Sequence, residues 1–195
     1  MGKIDNYIRQ VGMQRYCTIL IICVWLLGVP GAWGQCSQDL VRAEMQQRKE
    51  LFKTFYVAGN PVPDVQLGTV RLHRLSASTN MLVFWKTDCP YCKNLLAEVD
   101  SLLQKSNEQQ LQVVAVCLDR DKAEWQNHPF VLKQYSNLHQ YCDGQGYSGE
   151  AAVACHVFAT PTMLLFNKQH ELMALPRNIK ELERLILQSV VADGR

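Results

Sequence analysis

The sequence has little charge of either sign to spare. Lys and Arg total 20 and Asp and Glu 18 over 195 residues. Residues 1–34, which read as a leader, hold Lys3, Arg9 and Arg15 against Asp5, so residues 35–195 carry 17 basic and 17 acidic side chains. With no net charge and no basic cluster, neither nucleic acid nor an anionic membrane surface is favoured as a partner. There is no phosphate-cradling glycine loop and no internal repeat, which argues against a P-loop nucleotide site and a solenoid. The apolar run Cys17 to Val29 is too short for a comfortable transmembrane helix of about 20 residues. The five His are scattered, and spacing gives none of them an acid–base partner.

What the chain does have is cysteine, eight in all, and two of them stand three apart in Cys89-Pro90-Tyr91-Cys92. This motif ends the apolar run Met81-Leu-Val-Phe-Trp85 and opens a stretch in which Leu95, Leu96, Val99, Leu102 and Leu103 recur at helical spacing. The pattern predicts a strand feeding a helix, with Cys89 at the helix N-terminus. There the unpaired N–H groups and the partial positive charge favour a thiolate. Pro90 suits the first helical position, where its missing N–H costs nothing. Cys92 falls one turn inside and is expected to be shielded. That asymmetry makes Cys89 the attacking sulfur and Cys92 the resolving one in thiol–disulfide exchange. Half of a structural zinc site and an inert disulfide share the spacing. Zinc, however, wants a second close pair of ligands, and Cys142 and Cys155 do not make one, although Cys155-His156 and His139 keep the idea open.

Phe84-Trp85-Lys86-Thr87-Asp88-Cys89-Pro90-Tyr91-Cys92 resembles the thioredoxin signature. Ala159-Thr160-Pro161-Thr162 before Met163 to Phe166 resembles the loop carrying that fold's cis-proline. Pro63-Asp64-Val65 with Gly68 to Leu72, and the stretch from Gly146 to Pro161, are similar to the extracytoplasmic thioredoxin-like proteins of the TlpA/ResA type. The resemblance covers roughly residues 61 to 188. It implies an α/β thioredoxin fold, with a central mixed sheet flanked by helices, an N-terminal helical extension and an insert before the proline. It also implies a thiol–disulfide oxidoreductase acting on protein thiols or disulfides with a redox partner protein, and needing no cofactor and no metal. The Thr160–Pro161 bond is then expected to be cis and to lie across from Cys89, where residue 160 offers a main-chain edge to substrate. Trp85 is expected to wall the site, and Tyr91 to touch substrate or tune the redox potential. Two departures stand out. Asp88 occupies a place usually aromatic and opposes ionisation of Cys89. Val83 stands where thioredoxin carries a buried acid. A copper-type soft-metal chaperone using both thiolates, or a redox-inactive binding module, is the competing reading.

Arg15, the apolar run and Pro30-Gly-Ala-Trp-Gly34 read as a secretory signal cleaved after Gly34, with Met13 as an alternative start. An uncleaved membrane anchor and a lipid-modified Cys36 are the alternatives, and the mature form is not expected to insert in a membrane. The expected organisation is a signal at 1–34, a helical extension at 35–60 and a thioredoxin-like domain at 61–195, placed in the periplasm or otherwise outside the cytoplasm. Export permits disulfides. Cys142 and Cys155 flank the loop from Asp143 to Gly149 and are expected to form a second disulfide, with two independent thiols or a regulatory pair as alternatives. Cys117, inside the apolar run Leu111 to Leu118, reads as a core thiol. Lys122 to Tyr135 reads as an inserted helical segment broken by Pro129, and Glu150 to Val157 as a further helix. Residues 162–166 and 171–174 read as a hairpin, and Asn178 with Glu181 as the cap of a last helix.

Overall fold

Two runs of apolar residues, Thr79–Trp85 (β3) and Leu111–Cys117 (β4), lie side by side as parallel strands at the centre of a sheet. Every residue of β3 is buried, as befits a strand covered on both faces. The structure is a computed structural model and describes residues 32–186 apart from 132, 177 and 179, with side chains from 38 onward. Contacts divide the chain at Gln46/Gln47, so that one unit ends within helix α1 (Ala32–Phe55) and the other holds everything from Gln47 onward. The proposed leader lies outside the described residues up to residue 31, and Ala32 to Gly34 already belong to α1.

The sheet runs β5-β4-β3-β6-β7, with β5 at Leu138–Cys142, β6 at Thr162–Phe166 and β7 at Leu172–Ala174. β3, β4 and β5 are parallel, whereas β6 pairs antiparallel with β3 and β7 antiparallel with β6. A small hairpin, β1 (Gln66–Leu67) with β2 (Val70–Arg71), precedes them. A parallel pair needs a crossover, and helix α2 (Pro90–Lys105) supplies it between β3 and β4.

Side chains alternate along the strands and divide the interior into two layers. Met81, Val83 and Trp85 point to the layer where α2 packs Leu95, Leu96, Val99, Leu102 and Leu103, and which Leu182 and Ile186 of the helical stretch 180–186 join. Leu82 and Phe84 point the opposite way, onto Tyr56, Leu72, Leu75, Ala151 and Val157. Fully burying one such Leu or Phe contributes about 1.5–3 kcal/mol, so the five inward residues of α2 hold the crossover firmly on the sheet.

Three expectations need correcting. The insert is helical only over Lys122–Gln126 (α3). Asp121 caps it by accepting the Ala123 N–H at 2.7 Å, and Pro129 disfavours helical backbone at His128. The helix expected to run from Glu150 to Val157 stops at Ala154 (α4), because His156 takes a left-handed φ of 48° and turns the chain away. Cys142 and Cys155 are not bonded: both thiols are free and buried. Cys142 ends β5 in the α2 layer, and Cys155 sits in the opposite layer, so the sheet separates them. Glu181 N–H does bond Asn178 Oδ1 at 3.0 Å, while the expected last helix is described only as far as residue 186.

Candidate functional site

At the carboxyl end of β3 the chain crosses Lys86, Thr87 and Asp88 and enters α2 at Cys89. Cys89 is the N-cap, with extended backbone, and its sulfur accepts the Cys92 N–H at 3.2 Å, while Pro90 opens the helix. The cap thus places sulfur where an Asp or Ser oxygen usually serves, and directs the helix N-terminus at it. Cys89 and Cys92 are joined by a disulfide, with Cα atoms 5.2 Å apart. Cys89 is half-buried and Cys92 has no exposed surface.

The loop before β6 meets this pair from the other side of β3. The Thr160–Pro161 peptide bond is cis, and Cys89 Sγ lies 3.7 Å from Thr160 O. Thr160 and Pro161 are half-exposed, so a main-chain edge opens to solvent beside the sulfur. Tyr91 stands out from the motif at 78% exposure.

Trp85, expected to wall the site, ends β3 just before the link to Cys89. It is fully buried, with the His128 ring tilted against it at 4.9 Å and Phe130 edge-on at 6.0 Å between ring centres. His128 and Phe130 of the insert lie against it, and Trp85 shares a buried layer with Cys92. Burial of His128 against this ring lowers its affinity for a proton.

Asp88 is paired across the link: Lys86 Nζ donates to its carboxylate at 2.9 Å, and this bond raises the lysine's pKa. Its opposition to a Cys89 thiolate is therefore partly offset.

Sequence reasoning missed three residues here. Asp119 is the first polar side chain after the apolar run of β4. It is 4% exposed, and both its oxygens accept the Thr87 N–H, at 3.3 and 3.2 Å. Its position at the carboxyl end of a parallel strand, where sites of α/β sheets gather, was the available signal. Arg48 is a buried cation in α1 that donates to the carbonyls of Tyr147 and Val157. Tyr147 in turn directs its hydroxyl to Thr160 Oγ1 at 3.5 Å. Nothing in the pattern around Arg48 marks it. Among the described residues no three His, Cys, Asp or Glu side chains converge as a metal site, and no helix is long and apolar enough to cross a membrane.

The sequence model of the AhpC/TSA family, by that description, matches residues 52–175. None of the curated proteins matches the chain. Solved structures do. A thiol-disulfide oxidoreductase from Bacteroides fragilis is 21% identical, the match covering 66% of this chain and 98% of that one with a TM-score of 0.56. The thioredoxin domain of a thiol-disulfide oxidoreductase from Bacteroides vulgatus is 14% identical over 68% and 97%, with a TM-score of 0.58. A protein described as the thiol:disulfide interchange protein DsbE, from Chlorobium tepidum, is 23% identical over 68% and 97%, with a TM-score of 0.57. At these identities the shared property is the fold, and it is the thioredoxin fold.

Proposed function

The chain belongs to the AhpC/TSA family, and from that premise we propose that it is an exported thiol–disulfide oxidoreductase whose working couple is Cys89–Cys92. The observation that carries this reading is the pairing of a half-exposed Cys89 at a helix N-terminus, 3.7 Å from Thr160 O beside the cis-proline, with a shielded Cys92.

In the reducing direction the Cys89 thiolate attacks one sulfur of a substrate disulfide. A mixed disulfide forms and the first substrate sulfur leaves, taking a proton. Cys92 then gives up its proton and attacks Cys89 Sγ, the mixed bond breaks, and the second substrate sulfur leaves as a thiol. Two electrons pass from the dithiol to the substrate, and the oxidising direction is the same path reversed. An extended protein segment pairs with the main-chain edge at Thr160 while its sulfur reaches Cys89, and Tyr91 flanks that approach. A redox partner protein restores the couple. The apolar run Cys17 to Val29 ahead of Gly34 supports export, and mass analysis of the N-terminus of the secreted protein checks it.

The test of function is insulin reduction with dithiothreitol as electron donor, run beside trapping. Wild-type protein accelerates precipitation of the insulin B chain, Cys89→Ser does not, and Cys92→Ser accumulates mixed disulfides that reductant releases. A wild-type protein without acceleration, together with a Cys92→Ser variant that traps nothing, overturns the reading.

A further inference from the structure

We propose that Asp119 is a positioning residue of this site, whose buried carboxylate fixes the loop that presents Cys89 and whose charge keeps the Cys89–Cys92 couple reducing. The inference rests on the function proposed above and adds to it what sets the couple's poise.

The geometry begins in the strands. Leu118 N–H bonds Trp85 O at 2.8 Å, so the pairing of β3 with β4 continues one step beyond the ladder and carries Asp119 beneath the link into α2. That link is three residues long, Lys86 to Asp88. Its own main-chain closure is a bond of 3.4 Å from Cys89 N–H to Lys86 O. The Thr87 N–H is instead held by Asp119 through both carboxylate oxygens. A bond to a charged acceptor in a dry site is about twice as strong as a neutral one, so this contact fixes where the chain enters the helix and hence where Cys89 Sγ points.

The other groups that touch Asp119 are neutral. Cys117 Sγ donates to Oδ2 at 3.1 Å, and Cys142 Sγ donates to the Asp119 carbonyl at 3.7 Å. Burial pushes the Cys117 thiol well up, so it stays a donor through neutral pH. This gives the buried Cys117, which the redox step does not use, a part in holding the carboxylate, and Cys142 a part in holding the main chain that carries it. The charged groups around it act at longer range: Lys86, which is already bonded to Asp88, and His128 of the insert, which also feels Lys93. A buried carboxylate with amide and thiol partners keeps its negative charge felt by its surroundings. A like charge disfavours the thiolate. Whatever disfavours the thiolate destabilises the reduced form and makes the couple a stronger reductant.

Two substitutions separate the two roles. Asp119→Asn keeps an oxygen for the Thr87 N–H and removes the charge, whereas Asp119→Ala removes both. Each variant is equilibrated with glutathione buffers, the fraction of Cys89–Cys92 disulfide is read by mass spectrometry after acid quench, and Cys89 alkylation is followed against pH. Amide hydrogen exchange of residues 86–89 is measured alongside. For Asp119→Asn the equilibrium should shift about tenfold toward the dithiol, which is about 30 mV, and the alkylation profile should move to lower pH, with loop exchange as in the wild type. Asp119→Ala should show the same shift and faster exchange at Thr87 and Cys89. A wild-type equilibrium and alkylation profile in Asp119→Asn removes the electrostatic role, and wild-type exchange in Asp119→Ala removes the positioning role. Should the alanine variant not fold, the asparagine variant still decides the electrostatic role, and a Cys117→Ala variant, which frees Oδ2 of its thiol donor, decides the other by the same exchange measurement. A wild-type protein with no reversible couple in glutathione speaks against the proposed function and is distinguishable from all of these outcomes.

Discussion

Cys89 and Cys92 are the same chemical group three residues apart, and the helix makes them different. One caps the N-terminus in partial contact with water, and the other is sealed beneath Leu95, Leu96 and Trp85. Cys117, Cys142 and Cys155 are buried as well. Desolvation pushes Cys155 up to about 12, and also raises Cys117 and Cys142. Since the thiolate is the reactive species, iodoacetamide at pH 7 should modify Cys89 of the reduced native protein first, and Cys117, Cys142 and Cys155 only after denaturant is added. Peptide mapping by mass spectrometry checks the order, and early labelling of Cys92 would reverse the assigned roles. The roles of the motif cysteines were legible because they depend on helix phase, which local spacing reveals. The fate of Cys142 and Cys155 was not. Whether two thiols bracketing a loop can meet depends on which face of the sheet each occupies, and that is fixed by the register of β5 on β4, where Cys142 stands opposite Cys117.

At the scale of elements, the last turns of α1 from Arg48 onward and Tyr56 after them hold the loop before the proline in place. Arg48 donates to the carbonyls of Tyr147 and Val157, and Tyr56 Oη donates to Cys155 O at 2.9 Å. All three acceptors lie between the 3-10 turn at Gly146–Ser148 and the turn after α4. Arg48→Ala leaves buried carbonyls without their charged donor and should lower unfolding free energy by about 2–3 kcal/mol, read from urea denaturation. Tyr56→Phe should cost about 1 kcal/mol. If either acts only on global stability, exchange at residues 147–160 will follow the global value. The expectation is that these amides loosen ahead of the sheet, because their anchors are Arg48 in α1 and Tyr56 just after it. Elements with strong periodicity, such as β3, α2 and β4, were readable from residue order. The insert was not, because its polar residues fit a helix equally well whether it continues or stops. The cap at Asp121 starts the helix, and Pro129 beyond it ends it after five residues.

The same buried groups give the whole molecule a stability profile with two limbs. A thiol whose folded pKa lies above its unfolded value keeps its proton after the unfolded chain has lost it. The unfolded state then binds fewer protons, and stability falls as pH rises. For Cys155 the window runs from the ordinary thiol value of 9.0 to about 12, and Cys117 and Cys142 add in the same direction. Each such group steepens the fall by about 1.4 kcal/mol per pH unit inside its window. On the acid side, burial lowers His128, His139 and His156 from 6.5. The unfolded chain then takes up protons first, and stability falls as pH drops below about 6.5. The disulfide-bonded protein should therefore be most stable between about pH 6.5 and 9, with urea midpoints declining on both sides. Cys155→Ala lowers the level through the small cavity it leaves. The informative quantity is the slope between pH 9 and 11, which should become shallower by about 1.4 kcal/mol per pH unit once that thiol is gone. A midpoint that holds steady or rises from pH 9 to 11 in the unmodified protein would mean that these thiols are not desolvated in the fold, and would undo the separation of reactive from inert cysteines at the same time.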